Sequence, residues 1–222
     1  MAKFGENQQV ILKKKSERAE LQIIGGLLKG EKISIPIIDG LRPTRAQVRE
    51  AVFQIWAEYI VGASFMDPFA GSGAIAIEAI SRGADEVYAS DINPELLFTL
   101  RKKLRELQKK RPMEIGWDRI IVSSEDFREA LSEHFVKGRK FDLVYLDPPY
   151  GKGFGVEAIH LIERYGLLNP AGRIMLEISK RERHGIDAAL DNENFVLLKK
   201  YPHGDTYLYH FGLLDEGFDE DE

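Results

Sequence analysis

The stretch FMDPFAGSGAIAIEAISRGA, Phe65 to Ala84, decides how the rest of the chain is read. An apolar run ends on an acid, Asp67; a short turn with Gly71 and Gly73 follows, and then an apolar helical pattern over about 74–82. This is a strand, a tight turn and a helix in immediate succession. Glycine lets a backbone approach a ligand closely, and the helix N-terminus behind it favours polar or anionic groups. A dinucleotide site would need three glycines as GxGxxG. From Phe69 the chain instead reads Phe-Ala-Gly-Ser-Gly-Ala-Ile-Ala.

The same alternation continues outward. Apolar runs at about 64–67, 86–90, 119–123, 141–146 and 172–178 are separated by helical patterns at about 74–82, 94–109, 126–136, 155–165 and 180–190. That order predicts an α/β fold, a mostly parallel sheet covered on both faces. The segment FVLLKKYPHGDTYLYHFG predicts a closing hairpin that makes one strand antiparallel. Upstream, LQIIGGLLKGEKISIPII, residues 21–38, reads as a hairpin around a Gly-rich turn. Thr44 and Gln47 have the spacing of a capping box, and Val48, Val52, Ile55 and Tyr59 recur behind them, predicting a helix over about 45–60.

Ligands of such sheets bind beyond the carboxyl ends of the strands, and acids gather there. The form Asp67-x-x-x-Gly71-x-Gly73 resembles the first motif of S-adenosylmethionine (SAM) methyltransferases. Asp91, eighteen residues after Gly73, can accept hydrogen bonds from both ribose hydroxyls, or else cap the helix that follows. Asp126 can accept from an adenine amine with Phe127 against the ring, or act as a helix N-cap. A ligand bearing ribose, adenine and a cationic sulfonium fits three such acids.

The fourth strand leaves through FDLVYLDPPYG, Phe141 to Gly151. Prolines cannot donate to a ladder and fix φ, so Pro148 and Pro149 stiffen the exit. The Asp147 carboxylate and the Pro148 carbonyl form two acceptors at fixed spacing, which suits an exocyclic amine. Tyr150 offers a face for stacking. Such an amine is a poor nucleophile because its lone pair is delocalised into the ring. Accepting both protons lets the nitrogen pyramidalise, and in-line attack on a methyl group becomes a matter of positioning and electrostatics.

Composition narrows the chemistry. With no cysteine among 222 residues, disulfides, iron–sulfur radical chemistry and enzyme-thiol adducts are excluded. No histidine pair has the i, i+4 spacing of a helical metal site, so no metal is expected. No apolar run approaches the roughly 18 residues of a membrane helix, and the start lacks a signal-peptide core, so the expected address is cytoplasmic. The formal charge of −5 hides an asymmetry: DEGFDEDE, from Asp215, holds six acids, whereas residues 1–49 carry ten Lys or Arg against five acids. The tail reads as a solvated end, and the basic start as a hint of a phosphate-bearing partner.

The segments LQIIGGLLKGEKISIP, GLRPTRAQVREAVF, FMDPFAGSGAIAIEAISRGA, YLDPPY and YPHGDTYLYHF resemble, in order and spacing, the bacterial ribosomal small-subunit methyltransferase D family, over about residues 21–211. That resemblance implies a Rossmann-like class I SAM-dependent methyltransferase with a seven-stranded sheet and a small N-terminal β-hairpin/helix extension. The expected division is a basic lead-in and hairpin over 1–43, the methyltransferase domain over 44–213 and an acidic tail over 214–222. The implied activity is methylation of a guanine N2 in 16S ribosomal RNA of an assembling small subunit, by a monomer that turns SAM into S-adenosylhomocysteine.

Carried over by position, the resemblance puts Thr44, Asp67, Phe69, Gly71, Gly73, Asp91, Ile92, Asp126, Phe127 and Asp147 at the cofactor. It puts Asp147, Pro148, Pro149 and Tyr150 at the target base, and Arg42, Arg45, Arg49, Lys29 and Lys32 on the RNA. Arg45 and Arg49, at i, i+4, also read as an ordinary solvated helix face. Alternatives that keep the amine chemistry are a DNA adenine-N6 or a protein-glutamine methyltransferase. A non-catalytic RNA-binding assembly factor would not need the two acceptors.

Overall fold

The computed structural model describes residues 18–36, 46–182 and 194–214. Arg42, Thr44 and Arg45, most of the helix expected over 180–190, and the acidic tail from Asp215 lie outside the described residues. A hairpin of β1 (Arg18–Gln22) and β2 (Lys32–Pro36) pairs antiparallel, with Leu21 opposite Ile33. Helix α1 (Ala46–Ile55) leads into the main sheet. Then follow β3 (Ser64–Asp67), α2 (Ala74–Ser81), β4 (Glu86–Asp91), α3 (Pro94–Lys110) and a single 3-10 turn, Trp117–Arg119. The chain continues with β5 (Ile120–Ser124), α4 (Phe127–Val136), β6 (Phe141–Leu146) and α5 (Phe154–Arg164). It ends with β7 (Leu168–Ser179), β8 (Phe195–His203) and β9 (Thr206–Leu213).

The seven-stranded sheet has the order β5-β4-β3-β6-β7-β9-β8. β3 to β7 are mutually parallel, and β9 is inserted antiparallel between β7 and β8. Alternate residues of each strand feed two cores. Phe65, Tyr145, Met175 and Leu208 face the layer of α1, α2, α3 and the hairpin. Met66, Val144, Leu146 and Leu176 face α4 and α5.

Helix α2 is buried along its whole length, with Glu78 and Ser81 its only polar side chains, as a helix covered on its outer side must be. The hairpin is that cover. Leu28 N donates to Ser81 Oγ (2.8 Å), and Ser81 Oγ donates to the Gly25 carbonyl (2.5 Å). Gly26 has φ 71°, and a Cβ there would lie 1.9 Å from the Ser81 carbonyl oxygen, which explains the glycine pair after Ile24.

Two boundaries depart from the sequence pattern. Helix α1 stops at Ile55 rather than near 60: Ala57 N bonds to the Gln54 carbonyl and Tyr59 N to that of Trp56, tightening the chain into turns. β7 begins at Leu168, four residues before the expected 172, because a bulge opposite Phe141 and Leu143 accommodates Asn169-Pro170-Ala171-Gly172. At the other end of the sheet face, Trp56 packs edge-on against Phe53 and Phe65 at 6.5 and 6.2 Å and donates Nε1–H to His210 Nε2 (3.3 Å). Among the described residues no helix is long and apolar enough to cross a membrane, and no group of three His, Asp or Glu is placed to hold a metal ion.

Candidate active site

The carboxyl ends of β3, β4, β6 and β7 deliver Asp67, Asp91, Asp147 and Glu177 to one edge. Asp67 is buried; its Oδ1 accepts from Phe69 N at 3.2 Å. Burial, partly offset by that bond and reinforced by Asp91, pushes its carboxyl up to about 8. Gly71 N donates to Asp91 Oδ2 and Asn93 N to Asp91 Oδ1, both at 2.8 Å, so the second acid ties the glycine turn to the next strand. Asp91 is not the helix cap: Asn93 Oδ1 takes that place, accepting from Glu95 N (3.0 Å) and Leu96 N (3.4 Å).

Gly73 (φ 76°) heads α2 with no side-chain cap, and a Cβ there would meet Leu100 of α3 at 2.3 Å. The buried Ser90 Oγ beside this turn has no partner among the described residues. Ile92 stands 73% exposed just past Asp91. An open helix start, an orphaned buried hydroxyl, an exposed apolar side chain and the Asp91 carboxylate fit a cationic, polar-headed cofactor.

At Asp126 the helix-cap reading is the observed one. Its carboxylate accepts from Arg128 N (2.9 Å), and Glu129 returns a bond to Asp126 N, a full capping box. Phe127 does not offer an open ring. It is buried between Phe69 (4.9 Å) and Phe154 (5.4 Å), with the Arg128 guanidinium 4.3 Å over its face.

Beyond β6, Pro148 is buried while Pro149 and Tyr150 are exposed. Gly155 on α5 lets Pro148 sit close, since a Cβ there would lie 3.3 Å from Pro148 Cγ and 2.8 Å from Leu176 Cδ1. Gly151 N donates to Glu182, fixing the loop from the other side. The rigid Pro-Pro exit is therefore held by packing as well as by its own rings.

Sequence reasoning missed two side chains here and misplaced a third. The Tyr145 hydroxyl, two residues before Asp147, donates to Glu177 Oε2 at 2.7 Å. Burial first, then the charges of Glu177, Asp147 and Asp67, hold that hydroxyl well above its usual range. Glu78 is fully buried in α2, within AIAIEAIS, where a lone acid in an apolar octet was the available signal. The third is a correction: Arg49 is not on a solvated face and cannot meet RNA. It is 1% exposed, and its Nη2 donates to the Gln22 carbonyl at 2.8 Å. Burial lowers its pKa while the charges of Glu78 and Tyr145 oppose that shift. Arg49→Ala should therefore lower stability and leave the salt dependence of RNA binding unchanged. Lys29 and Lys32 are exposed as expected, and Lys32 pairs with Glu20 at 2.9 Å.

The Asp67 carboxyl gives a pH dependence with a definite sign. Its folded pKa of about 8 lies above the ordinary 3.8, so the folded chain keeps a proton that the unfolded chain has released. The stability it contributes is complete below the ordinary value and is lost as pH rises towards 8, by at most about 1.4 kcal/mol per pH unit. His134 and His210, both held down to about 4 by burial, act oppositely and only below about 6.5. Urea midpoints should thus fall between pH 6.5 and 8, and Asp67→Asn should flatten that fall.

Comparison with known proteins fits this edge. The family described as Conserved hypothetical protein 95 matches residues 21–211. The ribosomal RNA small subunit methyltransferase D of Buchnera aphidicola is 32% identical over 186 residues, 83% of this chain and 88% of that one. The chain belongs to the ribosomal RNA small subunit methyltransferase D family. The Escherichia coli methyltransferase D is 35% identical over 162 residues, covering 73% of this chain and 76% of its own. A solved structure from Escherichia coli, assigned as a methyltransferase, yhhF, superposes with a TM-score of 0.71 at 29% identity, over 87% of this chain and 97% of that one. As a methyltransferase D family member the chain is a methyltransferase, with the expected Rossmann-like sheet.

Proposed function

We propose that the protein transfers a methyl group from SAM to the exocyclic N2 of a guanine in 16S ribosomal RNA, within an assembling small subunit. The observation that carries this is the shared edge. Asp147, followed by Pro148 and Tyr150, leaves the sheet beside Asp67 and Asp91, so an amine-accepting pair and an acidic cofactor crevice are neighbours.

When bound, SAM supplies an electrophilic methyl on a sulfonium. The backbone at Gly71 and Gly73 would allow close approach of the cofactor, Asp91 would supply negative charge opposite its ribose and cationic end, Asp67, whose carboxyl keeps its proton up to about pH 8, would supply a hydrogen-bonding group there, and Phe69 and Ile92 would supply apolar surface for adenine. Phe127 supports Phe69 from beneath, and Asp126 shapes the same corner as a cap. Asp147 and the Pro148 carbonyl accept the two amine protons, Pro149 holds their spacing, and Tyr150 stacks on the base. The proton released as the methyl arrives passes to Asp147 or to water. Exposed Lys29 and Lys32, with Arg42, Thr44 and Arg45 upstream of α1, extend the proposed contact to RNA and cofactor.

Radiolabelled SAM and small subunits from a strain lacking the modification provide the test. Incorporation into guanine N2 is expected. Label on adenine, on protein, or nowhere would overturn the reading.

A further inference from the structure

The side of α3 turned away from the hairpin carries a concave surface. A cleft of about 230 Å³ opens between α3 and the edge strand β5. Leu104, Ile120 and Val122 form an apolar floor, and Trp117 closes one end. Arg101, Arg105 and Gln108, at i, i+4 and i+7, form a polar rim along the helix. Two of these groups are fixed in place: Arg101 Nη2 donates to the Val122 carbonyl (2.8 Å), and Trp117 Nε1 to the Arg111 carbonyl (2.9 Å). The cleft is smaller than the roughly 300–1,000 Å³ of sites that enclose drug-sized ligands. Its scale suits one flat ring with polar edges.

The charge around it is one-sided. Between Arg101 and Arg111 seven bases face one acid, Glu106. Lys103 and Lys110 are occupied by Glu31 on the hairpin side, at 3.2 and 3.0 Å. Arg111 pairs with Glu114, and Arg119 with Asp85. Lys102, Arg105 and Lys109 make no ion pair among the described residues and stand exposed at i, i+3 and i+7, a single stripe along the rim. Besides Glu114 and Asp85, Asp118 is an acid nearby, beside Trp117. Basic residues in the last turn complement the helix dipole, but that does not account for a stripe beginning at Lys102, eight residues before the helix end.

We infer that this cleft binds a single-stranded nucleotide of the RNA substrate, its base stacked on Trp117 and its phosphates on Lys102, Arg105 and Lys109. An apolar floor with an indole and guanidinium rim matches a base, which has a π-face and polar edges, and the stripe matches the backbone that carries it. An acidic peptide would use the stripe and leave the floor empty. Counted along α3 from Pro94, the centre of the stripe at Arg105 lies about 16 Å from the catalytic edge. The same RNA can thus be gripped there while its target base is at Asp147. The inference rests on RNA being the substrate, as proposed above.

Short single-stranded polyuridylate is the probe. The chain has two tryptophans, and Trp56 is fully buried, so a change in emission on binding reports Trp117. Quenching is expected. Reversing two exposed charges, Arg105→Glu with Lys109→Glu, should weaken polyuridylate binding about tenfold or more and reduce the salt slope by about 0.7 per lost phosphate contact. With unmodified small subunits the same variant should raise KM with kcat and SAM affinity unchanged. Unquenched Trp117 emission overturns the stacking. Unchanged RNA affinity in the double variant overturns the cleft, including the case where only association with a ribosomal protein weakens. If no RNA is methylated yet polyuridylate still binds and quenches, the proposed reaction fails while the cleft stands.

Discussion

Asp147→Ala is expected to reduce single-turnover methyl transfer by about 10²–10³-fold, the usual cost of removing one preorganised partner of a developing charge. The amine becomes cationic as the methyl arrives, and the carboxylate is worth more in that state than when the neutral amine first binds. The loss should therefore fall on the chemical step. It should not be total, because the Pro148 carbonyl survives as the second acceptor on a loop pinned by Gly155 and Glu182. Asp147→Asn keeps an acceptor oxygen and removes the charge, so its defect should be smaller, about tenfold. The Tyr145 hydroxyl keeps its bond to Glu177 in both variants, so the buried pair beneath the loop stays in place. Rapid-quench measurement with saturating cofactor separates these effects; a wild-type rate in Asp147→Ala would remove this residue from the mechanism.

Glu78→Ala should have the largest effect on stability, about 3–5 kcal/mol, the range for breaking a buried charge network on one side. Glu78 is 0% exposed and accepts from Ile24 N (3.0 Å), Gly25 N (2.7 Å), Arg82 Nε (2.9 Å) and Arg82 Nη2 (2.8 Å). Its loss strands two amides of the hairpin and a guanidinium that lies 5.0 Å over Phe53. It also removes the negative charge facing buried Arg49. Glu78→Gln keeps one acceptor but turns an amide NH₂ towards donors, so about half of the loss is expected. Urea denaturation measures the total, and amide exchange at Ile24 and Gly25 shows whether the hairpin lifts from α2 first. Slow exchange there in the alanine variant would contradict the stapling role.

The parallel core was legible because its signals are local. Each strand from β3 to β6 is a short apolar run ending at Asp, Ser or a turn, and each helix behind it has a cap or a glycine. Arg49 was misread although its pattern was on the page. Arg49, Val52, Phe53 and Trp56 stand at i, i+3, i+4 and i+7, and this is the stripe that is buried. Following Val48, Val52, Ile55 and Tyr59 instead put the arginine on the wrong side of the helix and carried the helix too far. The roles of Glu78 and Glu177 were hidden for a different reason. Glu78 has one local partner, Arg82 at i+4, but the hairpin amides it holds are 53 and 54 residues away, and the Tyr145 partner of Glu177 is 32 away; no local spacing encodes such distances. Asp126 shows the converse: the capping box that holds it is a local motif, and its N-cap role was readable from the sequence alone.

The position of β9 bears on how the chain is made. It is the last described element, yet it lies between β7 and β8 and carries Leu208, Tyr209 and Phe211 into both cores. Synthesis runs from the N-terminus at about 5–20 residues per second. Until Thr206 to Leu213 emerge, β7 exposes an unpaired edge along seven residues, Arg173 to Ser179, that β9 will later occupy. The sheet is therefore completed only after Thr206 to Leu213 have been made, and a nascent chain stalled short of Thr206 would carry a sticky, half-built sheet for a chaperone to shield.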